Sequence, residues 1–386
     1  MSRNVFAALA LIGCAGSQTT EVEAPPPAPV EAPAPAPTVS PVPEGFHTLT
    51  PTLIVSDLPA AVAFYEKALG ATSQYLMDGP DGKPMHAEIK LGDAVVMLEP
   101  EAPERGQKAP TTLNGTNGSL HVYVEDVDAV QKAAIEAGAK ETMPDADMWW
   151  GDRFAEVVDP YGHRWSLGTH IEDVPSDVMK TRAEAAIAAM TAGKEYTWEK
   201  GAAAASYKPE GYQTVTPSLV VKGGTDAVDF YSKALGGEVV SSVPLPDGGL
   251  MHAELKVGDS MLMLGGAMPQ MDDYSKAAVD LGGSPVQVMM YVPDTDAALS
   301  GATAAGATQV MAAKDMFWGD RYASVTDPSG TVWAVATHIE DVPPEQIKER
   351  MLKQLGAPEG AEAPDGAAPA EDAEEGEGDG DEGAED

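Results

Sequence analysis

Residues 149–174 read WWGDRFAEVVDPYGHRWSLGTHIEDV, and residues 317–342 repeat them as FWGDRYASVTDPSGTVWAVATHIEDV, 168 positions later and without a gap. Each copy predicts a β-hairpin, because Asp-Pro-x-Gly places Pro and Gly at turn positions between two runs of strand-forming residues. In the strand after the turn, Trp165 and Leu167 share the face that should pack in a core. The opposite face carries Arg164, Ser166, Gly168 and His170.

The order strand, helix and three strands occurs four times along the chain. In the first occurrence, residues 48–55 predict a strand, Asp57 and Pro59 predict the start of a helix, and Gly70 predicts its end. The same order restarts near residue 120, and the second half of the chain repeats both occurrences. An internal repeat of this length predicts two similar domains.

These features divide the 386 residues into seven predicted segments. They are a leader (1–14), a Pro/Ala-rich linker (15–45), a first domain (46–174), a helix with a linker (175–210), a second domain (211–342), a C-terminal helix (343–355) and an acidic tail (356–386). The tail predicts disorder, since acidic residues in an Ala/Gly/Pro background cannot build a core.

The formal charge of −37 excludes the usual nucleic-acid-binding classes, because phosphate binding needs clustered Lys and Arg. The charge also disfavours anionic membrane surfaces as partners.

The single cysteine, Cys14, follows a short apolar run and the residues Leu11, Ile12 and Gly13. This pattern resembles the lipobox of bacterial lipoprotein signal peptides, where the signal peptide is cut and the cysteine is lipidated. The following Pro/Ala-rich linker predicts an extended spacer, as expected of an anchored protein. We therefore expect a lipid anchor in the bacterial cell envelope, at the periplasmic face of the outer membrane. The alternative is a disordered N-terminus with an incidental cysteine.

The modules resemble the vicinal oxygen chelate superfamily, which includes glyoxalase I, extradiol dioxygenases and bleomycin-resistance proteins. The resemblance rests on the Phe-Tyr pair in each first helix (Phe64 and Tyr65, Phe230 and Tyr231), the closing Asp-Pro-x-Gly hairpins, and the Trp-Gly-Asp-Arg and Thr-His-Ile-Glu-Asp-Val motifs. It implies an α+β fold with two tandem domains, each of two βαβββ modules that form a concave sheet cleft.

Metal-using members of this superfamily hold the ion with four side chains on the concave face. The resemblance places these positions at Thr50, Met97, Ser119 and Ser166 in the first domain, and at Thr216, Met263, Gln287 and Ala334 in the second. Zinc, nickel and iron favour imidazole and carboxylate ligands, and none of these residues supplies one. We therefore predict no cofactor at the usual positions.

A displaced metal site is the alternative, built from His86, Glu88 and His170 with their repeats His252, Glu254 and His338. His86 and Glu88 alternate with apolar residues, so they share one side of a strand. A divalent metal held there would support a glyoxalase-like lyase or a dioxygenase. The competing interpretation is that these side chains are hydrogen-bonded parts of the structure.

A ligand site without a metal is predicted around the repeated Trp-Gly-Asp-Arg motif. Its candidate residues are Trp150, Asp152 and Arg153, with Trp318, Asp320 and Arg321 in the repeat. An aromatic wall and a guanidinium suit a planar or anionic ligand, whereas the alternative is a structural Asp-Arg pair beside a core Trp. His121 and Arg164 add polar groups where the second half has Met289 and Val332. The cleft of the first domain should therefore be the more polar one, and a polar or anionic ligand should prefer it.

Together these patterns favour a lipid-anchored protein that binds a small, partly apolar molecule without a metal, and whose two domains form a pseudo-dimer within one chain. Whether it is an enzyme stays open at this point. The remaining alternative is an envelope scaffold or interaction module, which only the acidic tail and the spacer support.

Overall fold

The computed structural model describes residues 39–269 and 273–354. The predictions for Cys14, for most of the Pro/Ala-rich linker and for the acidic tail lie outside the described residues.

The first half of the chain contains two modules with the predicted β-α-β-β-β order. Module 1 comprises β1 (Leu49–Val55), α1 (Leu58–Leu69), β2 (Thr72–Asp78), β3 (Pro84–Leu91) and β4 (Ala94–Pro100). The short helix α2 (Pro110–Leu113) leads into module 2. Module 2 comprises β5 (Gly118–Tyr123), α3 (Val127–Ala137), β6 (Lys140–Asp147), β7 (Asp152–Val158) and β8 (Arg164–His170). Helix α4 (Ser176–Thr191) closes this half.

The second half repeats the arrangement. Module 3 comprises β9 (Val215–Val221), α5 (Thr225–Leu235), β10 (Glu238–Pro244), β11 (Leu250–Val257) and β12 (Ser260–Gly266). After the short helix α6 (Ala278–Leu281), module 4 comprises β13 (Val286–Tyr291), α7 (Thr295–Ala305), β14 (Thr308–Asp315), β15 (Asp320–Thr326) and β16 (Val332–His338). Helix α8 (Pro344–Gln354) follows.

The helix ends follow the sequence signals. Asp57 precedes α1, and its carboxylate accepts a hydrogen bond from the Ala60 amide at 3.1 Å, which satisfies one otherwise unpaired amide of the first turn. Gly70 ends the helix with φ at 68°, a left-handed conformation that glycine adopts without steric cost. Asp126 and Gly138 bound α3 in the same way.

The strands form two eight-stranded sheets, and each sheet draws on both halves of the chain. Sheet 1–4 has the order β14-β15-β16-β13-β1-β4-β3-β2, and sheet 2–3 has the order β10-β11-β12-β9-β5-β8-β7-β6. At the centres, β1 runs antiparallel to β13 and β5 runs antiparallel to β9. The predicted α+β fold of βαβββ modules is confirmed.

The pairing of the modules corrects one expectation. We expected residues 46–174 to form one cleft and residues 211–342 the other, but module 1 shares its sheet with module 4, and module 2 shares its sheet with module 3. The physical reason is that the four modules present equivalent first strands. Either pairing satisfies the same backbone hydrogen bonds, so strand patterns alone do not choose between them.

The helices pack within each half, whereas the sheets cross between halves. Helix α1 contacts α3, and α5 contacts α7. Most of the buried apolar residues of both halves belong to one continuous core, which includes Leu53, Trp165 and Trp333. The two halves are therefore interlocked, and neither contains a complete sheet.

The repeated hairpin is confirmed as β7–β8, and its turn residue does more than shape the turn. One carboxylate oxygen of Asp159 accepts hydrogen bonds from the amides of Tyr161 and His163, at 2.9 and 2.8 Å. The other accepts from the Tyr65 hydroxyl at 2.7 Å and from the Trp165 indole at 2.9 Å. The carboxylate thus ties module 2 to helix α1 of module 1.

Two aspartates hold the halves together at the tight turns after β3 and β11. Asp93 accepts a hydrogen bond from the Thr214 amide at 2.6 Å, and Asp259 accepts one from the Thr48 amide at 2.8 Å. Each bond joins one half to the segment that precedes the first strand of the other half. The same hydrogen bond between the two halves therefore occurs at both sheet junctions.

The helix predicted after the first domain is confirmed as α4. Its Arg182 donates to the carboxylate of Glu172 at 2.8 Å and to the carbonyl of Trp149 at 3.0 Å, so the helix is fixed to its own hairpin. Within the part of the chain that the structure describes, no helix is both long and apolar enough to span a membrane.

Candidate functional site

The eight superfamily positions fall on the concave faces, but they are regrouped by the sheet pairing. Thr50, Met97, Gln287 and Ala334 lie in sheet 1–4, whereas Ser119, Ser166, Thr216 and Met263 lie in sheet 2–3. Each set offers hydroxyl, thioether or carboxamide groups at most. Because neither set contains an imidazole or a carboxylate, these side chains do not fit a zinc, nickel or iron ion.

The side chains of the displaced alternative are not brought together as that alternative requires. His86 and Glu88 lie in sheet 1–4, with Nε2 and Oε1 3.3 Å apart, whereas His170 lies in sheet 2–3. His252 and Glu254 form the corresponding pair in sheet 2–3. Among residues 39–269 and 273–354, no three His, Cys, Asp or Glu side chains are placed to hold a metal ion.

His170 and His338 are each held between two carboxylates. The Nδ1 of His170 is 2.9 Å from Asp152 and its Nε2 is 3.0 Å from Asp173, which leaves neither ring nitrogen for a metal. These hydrogen bonds, with Asp152 contributing most, raise the pKa of His170. For His338, burial lowers the pKa, but hydrogen bonds to Asp341 and Asp320 outweigh it, so the pKa is raised. Through these hydrogen bonds, both histidines hold the end of a strand against the Trp-Gly-Asp loop.

The concave face of sheet 2–3, which we call cleft 2–3, has His121 at its centre. His121 is 4% exposed, and its Nδ1 lies 3.1 Å from the Ser166 hydroxyl on the neighbouring strand β8. Its Nε2 has no hydrogen-bond partner among the described residues. On the other side, His121 lies opposite Thr216 of β9, which the second half of the chain supplies. The Oγ1 of Thr216 is likewise buried without a partner in the described part of the chain.

Burial lowers the pKa of His121 to about 4, and the neighbouring charge of His252 lowers it further, against the opposing effect of Asp152 and Glu254. The imidazole is therefore neutral at neutral pH, with one ring nitrogen protonated and the other an acceptor. A neutral imidazole with an unpaired nitrogen can accept or donate a hydrogen bond to a bound molecule. It can also exchange a proton with one.

Gly168 makes room for the imidazole. A Cβ atom at Gly168 would lie 2.8 Å from the Nε2 of His121, closer than carbon side chains approach in folded proteins. The corresponding residue in sheet 1–4 is Ala336, which lies next to Met289 in place of the histidine. The glycine therefore belongs to the cleft that contains His121.

Glu254 supplies a carboxylate to the same cleft. Its Oε1 is 3.3 Å from the Nε2 of His252, and its Oε2 accepts a hydrogen bond from Ser241 at 3.0 Å. Burial opposes ionisation of Glu254, but His252, Tyr212 and Ser241 outweigh it and lower its pKa to about 2. Burial and then Glu254 raise the pKa of Tyr212, so the phenol stays protonated beside the carboxylate.

Aromatic rings surround His121. Tyr123 meets it edge to face with ring centroids 4.6 Å apart, and Phe154 lies nearly parallel to it with centroids 6.1 Å apart. Trp150 packs edge-on against Phe154 at 5.5 Å. Tyr212, from the segment before β9, packs edge-on against Tyr123 at 5.6 Å.

The predicted Trp-Gly-Asp-Arg residues divide between the two faces of the strand. Asp152 is buried on the concave side, where it bonds His170 at 2.9 Å and accepts from the Tyr123 hydroxyl at 3.4 Å. Arg153 lies on the opposite, helix-facing side, where its guanidinium donates to Asp128 of α3 and to Asp147. Because neighbouring strand residues point to opposite faces, Arg153 does not reach the cleft.

The repeated Trp-Gly-Asp-Arg motif is divided between the two faces of its strand in the same way. The carboxylate of Asp320 accepts from the Trp318 indole at 3.0 Å and bonds His338 at 2.9 Å. Arg321 donates to Asp296 of α7 and to Asp315, on the helix-facing side. Both arginines therefore fix loops and helices, and we leave them out of the ligand site.

Arg164 does lie on the concave face, at the start of β8. Its guanidinium is 3.0 Å from the Glu156 carboxylate and lies over the Tyr274 ring at 6.0 Å from the centroid. Arg164 thus contributes to the rim of cleft 2–3 as half of an ion pair.

The concave face of sheet 1–4, which we call cleft 1–4, is filled by side chains. Met97, Met289, Tyr291 and Ala336 form a buried apolar cluster. Phe46, which corresponds to Tyr212, packs edge-on against Tyr291 at 5.8 Å and covers the cluster. The structure therefore shows one concave face centred on His121 and one centred on an apolar cluster with Met289.

The sequence pointed to His121 but missed its partners Thr216, Tyr212 and Phe154. Phe154 shares the parity of Asp152 in one strand, which was a usable signal. Thr216 and Tyr212 come from the other half of the chain, and only the sheet pairing brings them to His121.

The comparisons with known proteins agree with the fold and with the repeat. An uncharacterized protein of Mycobacterium bovis is 42% identical over 132 residues, which are 33% of this chain and 87% of that protein. The uncharacterized protein Rv0887c of Mycobacterium tuberculosis is also 42% identical over 132 residues, which are 33% of this chain and 78% of that protein.

Among solved structures, glyoxalase I from Zea mays superposes with a TM-score of 0.51 at 17% identity, covering 79% of this chain and 94% of that one, a likeness of fold alone. The model of the Glyoxalase/Bleomycin resistance protein/Dioxygenase superfamily matches residues 46–167 and 213–335. The chain therefore belongs to this superfamily, with one matching region in each half.

Proposed function

We propose that this protein binds a small, partly apolar molecule in cleft 2–3, with no metal ion at the superfamily's ligand positions. The observation that carries the proposal is the pair of buried polar atoms, His121 Nε2 and Thr216 Oγ1, that have no partner among the described residues. An unpaired buried polar atom costs about 1–3 kcal/mol. Such a cost is commonly retained where the group meets a ligand.

The comparison between the two clefts supports this assignment. The repeat carries Met289 in place of His121 and Ala334 in place of Ser166, and there the concave face closes into an apolar cluster. The same fold is therefore compatible with a filled face. The polar groups of cleft 2–3 are a departure that packing does not require.

The donor chemistry supports a metal-independent mode of binding. Ser119, Ser166, Thr216 and Met263 provide no anionic ligand, so a divalent ion at these positions would be poorly compensated. Recognition would instead use hydrogen bonds from the hydroxyls and the imidazole, together with contacts to the aromatic rings.

The test compares small molecules that co-purify with the full chain and with a His121→Met variant. We expect at least one molecule, identified by mass spectrometry after denaturation, to be enriched in the wild type and lost in the variant. Met289→Leu, at the same place in cleft 1–4, is the matched control and should retain the molecule. Identical sets of molecules in the wild type and His121→Met would remove His121 from the site.

Unfolding measurements at several pH values show whether His121→Met is folded. A histidine whose folded pKa is lowered from about 6.5 to about 4 binds fewer protons in the folded than in the unfolded state, so stability falls as pH drops from 6.5 to 4. The free energy of unfolding of the wild type should fall by roughly 3 kcal/mol more than that of the variant over this window.

Treatment of the full chain with a chelator should leave the co-purifying molecule bound. Its release would point to a metal.

We also propose that the chain is anchored by a lipid on Cys14 at the periplasmic face of the outer membrane. The support is the sequence pattern alone, namely an apolar run before Leu11, Ile12, Gly13 and Cys14 and a Pro/Ala-rich spacer after them. The spacer would separate the binding domain from the membrane surface.

Replacing Cys14 with Ala should leave an uncleaved precursor that no longer fractionates with membranes as a lipoprotein. The measurement is labelling with a fatty-acid analogue, together with fractionation of cells that express the full chain. Ser17→Ala, a nearby change outside the Leu-Ile-Gly-Cys pattern, should be processed normally. Unchanged labelling and fractionation of Cys14→Ala would exclude the anchor.

A further inference from the structure

Cleft 2–3 has a distinctive charge distribution around its aromatic rings. The carboxylates that face it are those of Asp152, Glu156 and Glu254. Asp152 is bonded to His170 at 2.9 Å, and Glu156 is paired with Arg164 at 3.0 Å, so each has a close basic partner.

Glu254 is held differently. Its basic neighbour is His252, 3.3 Å away, whose side chain is 40% exposed, and its other partners, Ser241 and Tyr212, are neutral donors. Together these groups keep Glu254 ionised, with a pKa of about 2. The cleft therefore contains an ionised carboxylate whose basic neighbour, His252, is partly exposed.

The walls next to this carboxylate are aromatic. Tyr212 contacts both Glu254 and the ring of Tyr123, and Tyr123 in turn contacts His121 edge to face. Phe154 presents a face parallel to the imidazole. Ring faces attract cations through their quadrupoles.

The hydrogen-bonding groups of the cleft floor point to the same chemistry. The unpaired Nε2 of His121 is an acceptor in the tautomer in which Nδ1 donates to the Ser166 hydroxyl, and Thr216 Oγ1 can also accept. An N–H group on a ring would satisfy such an acceptor, whereas a carboxylate or phosphate ligand would meet the charge of Glu254.

The geometry points to a planar, positively charged nitrogen heteroaromatic molecule as the ligand class of cleft 2–3, bound against the aromatic rings with its charge toward Glu254. This inference rests on the proposed function, because it specifies what the same cleft binds. Cleft 1–4 retains Glu88 and His86 but has Phe46 in place of Tyr212 and Tyr75 in place of Ser241, and Met289 fills its centre. We therefore expect one such molecule for each chain.

Two planar fluorescent probes of three-ring size test the inference with the full chain. Proflavine carries a positive charge, and anthracene-2-sulfonate carries a negative one. We expect proflavine to bind at one site for each chain in a fluorescence titration at moderate salt, and more tightly than the sulfonate. Glu254→Gln should weaken proflavine binding by about tenfold, which corresponds to about 1.4 kcal/mol.

Glu88→Gln is the matched control, since it removes the same charge from the corresponding position in cleft 1–4 and makes the net charge of the chain less negative by the same amount. It should leave proflavine affinity unchanged. Equal weakening by Glu254→Gln and Glu88→Gln would show attraction to the overall negative charge and overturn the inference.

His121→Met separates failure of the ligand class from failure of the proposed function. If the sulfonate binds as tightly as proflavine and both lose their site in His121→Met, the cleft binds planar molecules but the cationic class is wrong. If proflavine does not bind while a co-purifying molecule still depends on His121, the class is again wrong and the function stands. If neither probe nor any co-purifying molecule responds to His121→Met, both proposals fail.

Discussion

Replacing Asp159 with Ala should lower the free energy of unfolding by roughly 3–5 kcal/mol. Asp159 is 4% exposed and accepts four hydrogen bonds, two from amides of its own turn and two from the side chains of Tyr65 and Trp165. The Ala variant would leave a buried phenol and a buried indole without their acceptor. Each such loss costs about 1–3 kcal/mol.

Chemical denaturation of the full chain measures this loss. Asp327→Ala is the matched variant in sheet 1–4, where the carboxylate accepts from Tyr231, from the Trp333 indole at 2.9 Å and from two turn amides. We expect a loss of similar size there. Asp159→Asn should cost less, because its amide oxygen can keep part of the acceptor role. A loss below about 1 kcal/mol in both Ala variants would contradict the proposed role of the carboxylate.

This network shows what the sequence could and could not predict about the hairpin. The turn at Asp159 followed from the Asp-Pro-x-Gly pattern, since Pro and Gly have local conformational preferences. Its bond to Tyr65 joins residues 94 positions apart, and a local pattern contains no information on such a contact. One signal was present, because both halves pair a Phe-Tyr helix with an Asp-Pro-x-Gly turn.

The candidate site was predictable to a similar degree. The asymmetry between His121 and Met289 was visible in the repeat, and the structure places these residues in different sheets. The ligand role predicted for Arg153 is not supported by its position on the helix-facing side of β7. The alternation of residues along the strand already separated Arg153 from Asp152. Thr216 could not be assigned to His121 from sequence, because the junction of the sheets depends on which equivalent strands pair.

The first half of the chain, residues 39–208, should not persist as a folded monomer when it is produced alone. Without the second half, β1 loses its partner β13 and β5 loses its partner β9, so the centre of each sheet becomes an exposed edge. The repeat offers a replacement, since β5 is equivalent to β13 and β1 is equivalent to β9. We therefore expect a homodimer in which β1 of one copy pairs with β5 of the other, twice.

Light scattering after size-exclusion chromatography measures the mass over a range of concentrations, with the full chain as the reference. In such a dimer Asp93 would accept the Thr48 amide of the other copy, as Asp259 accepts it in the full chain at 2.8 Å. Asp93→Ala should then weaken the dimer by about tenfold or more, since it removes a charged acceptor at both junctions. Lys132→Ala, on the exposed side of α3, is the control and should not. A stable monomer of residues 39–208 would show that each half completes its own sheet, and the proposal of a pseudo-dimer within one chain would then fail.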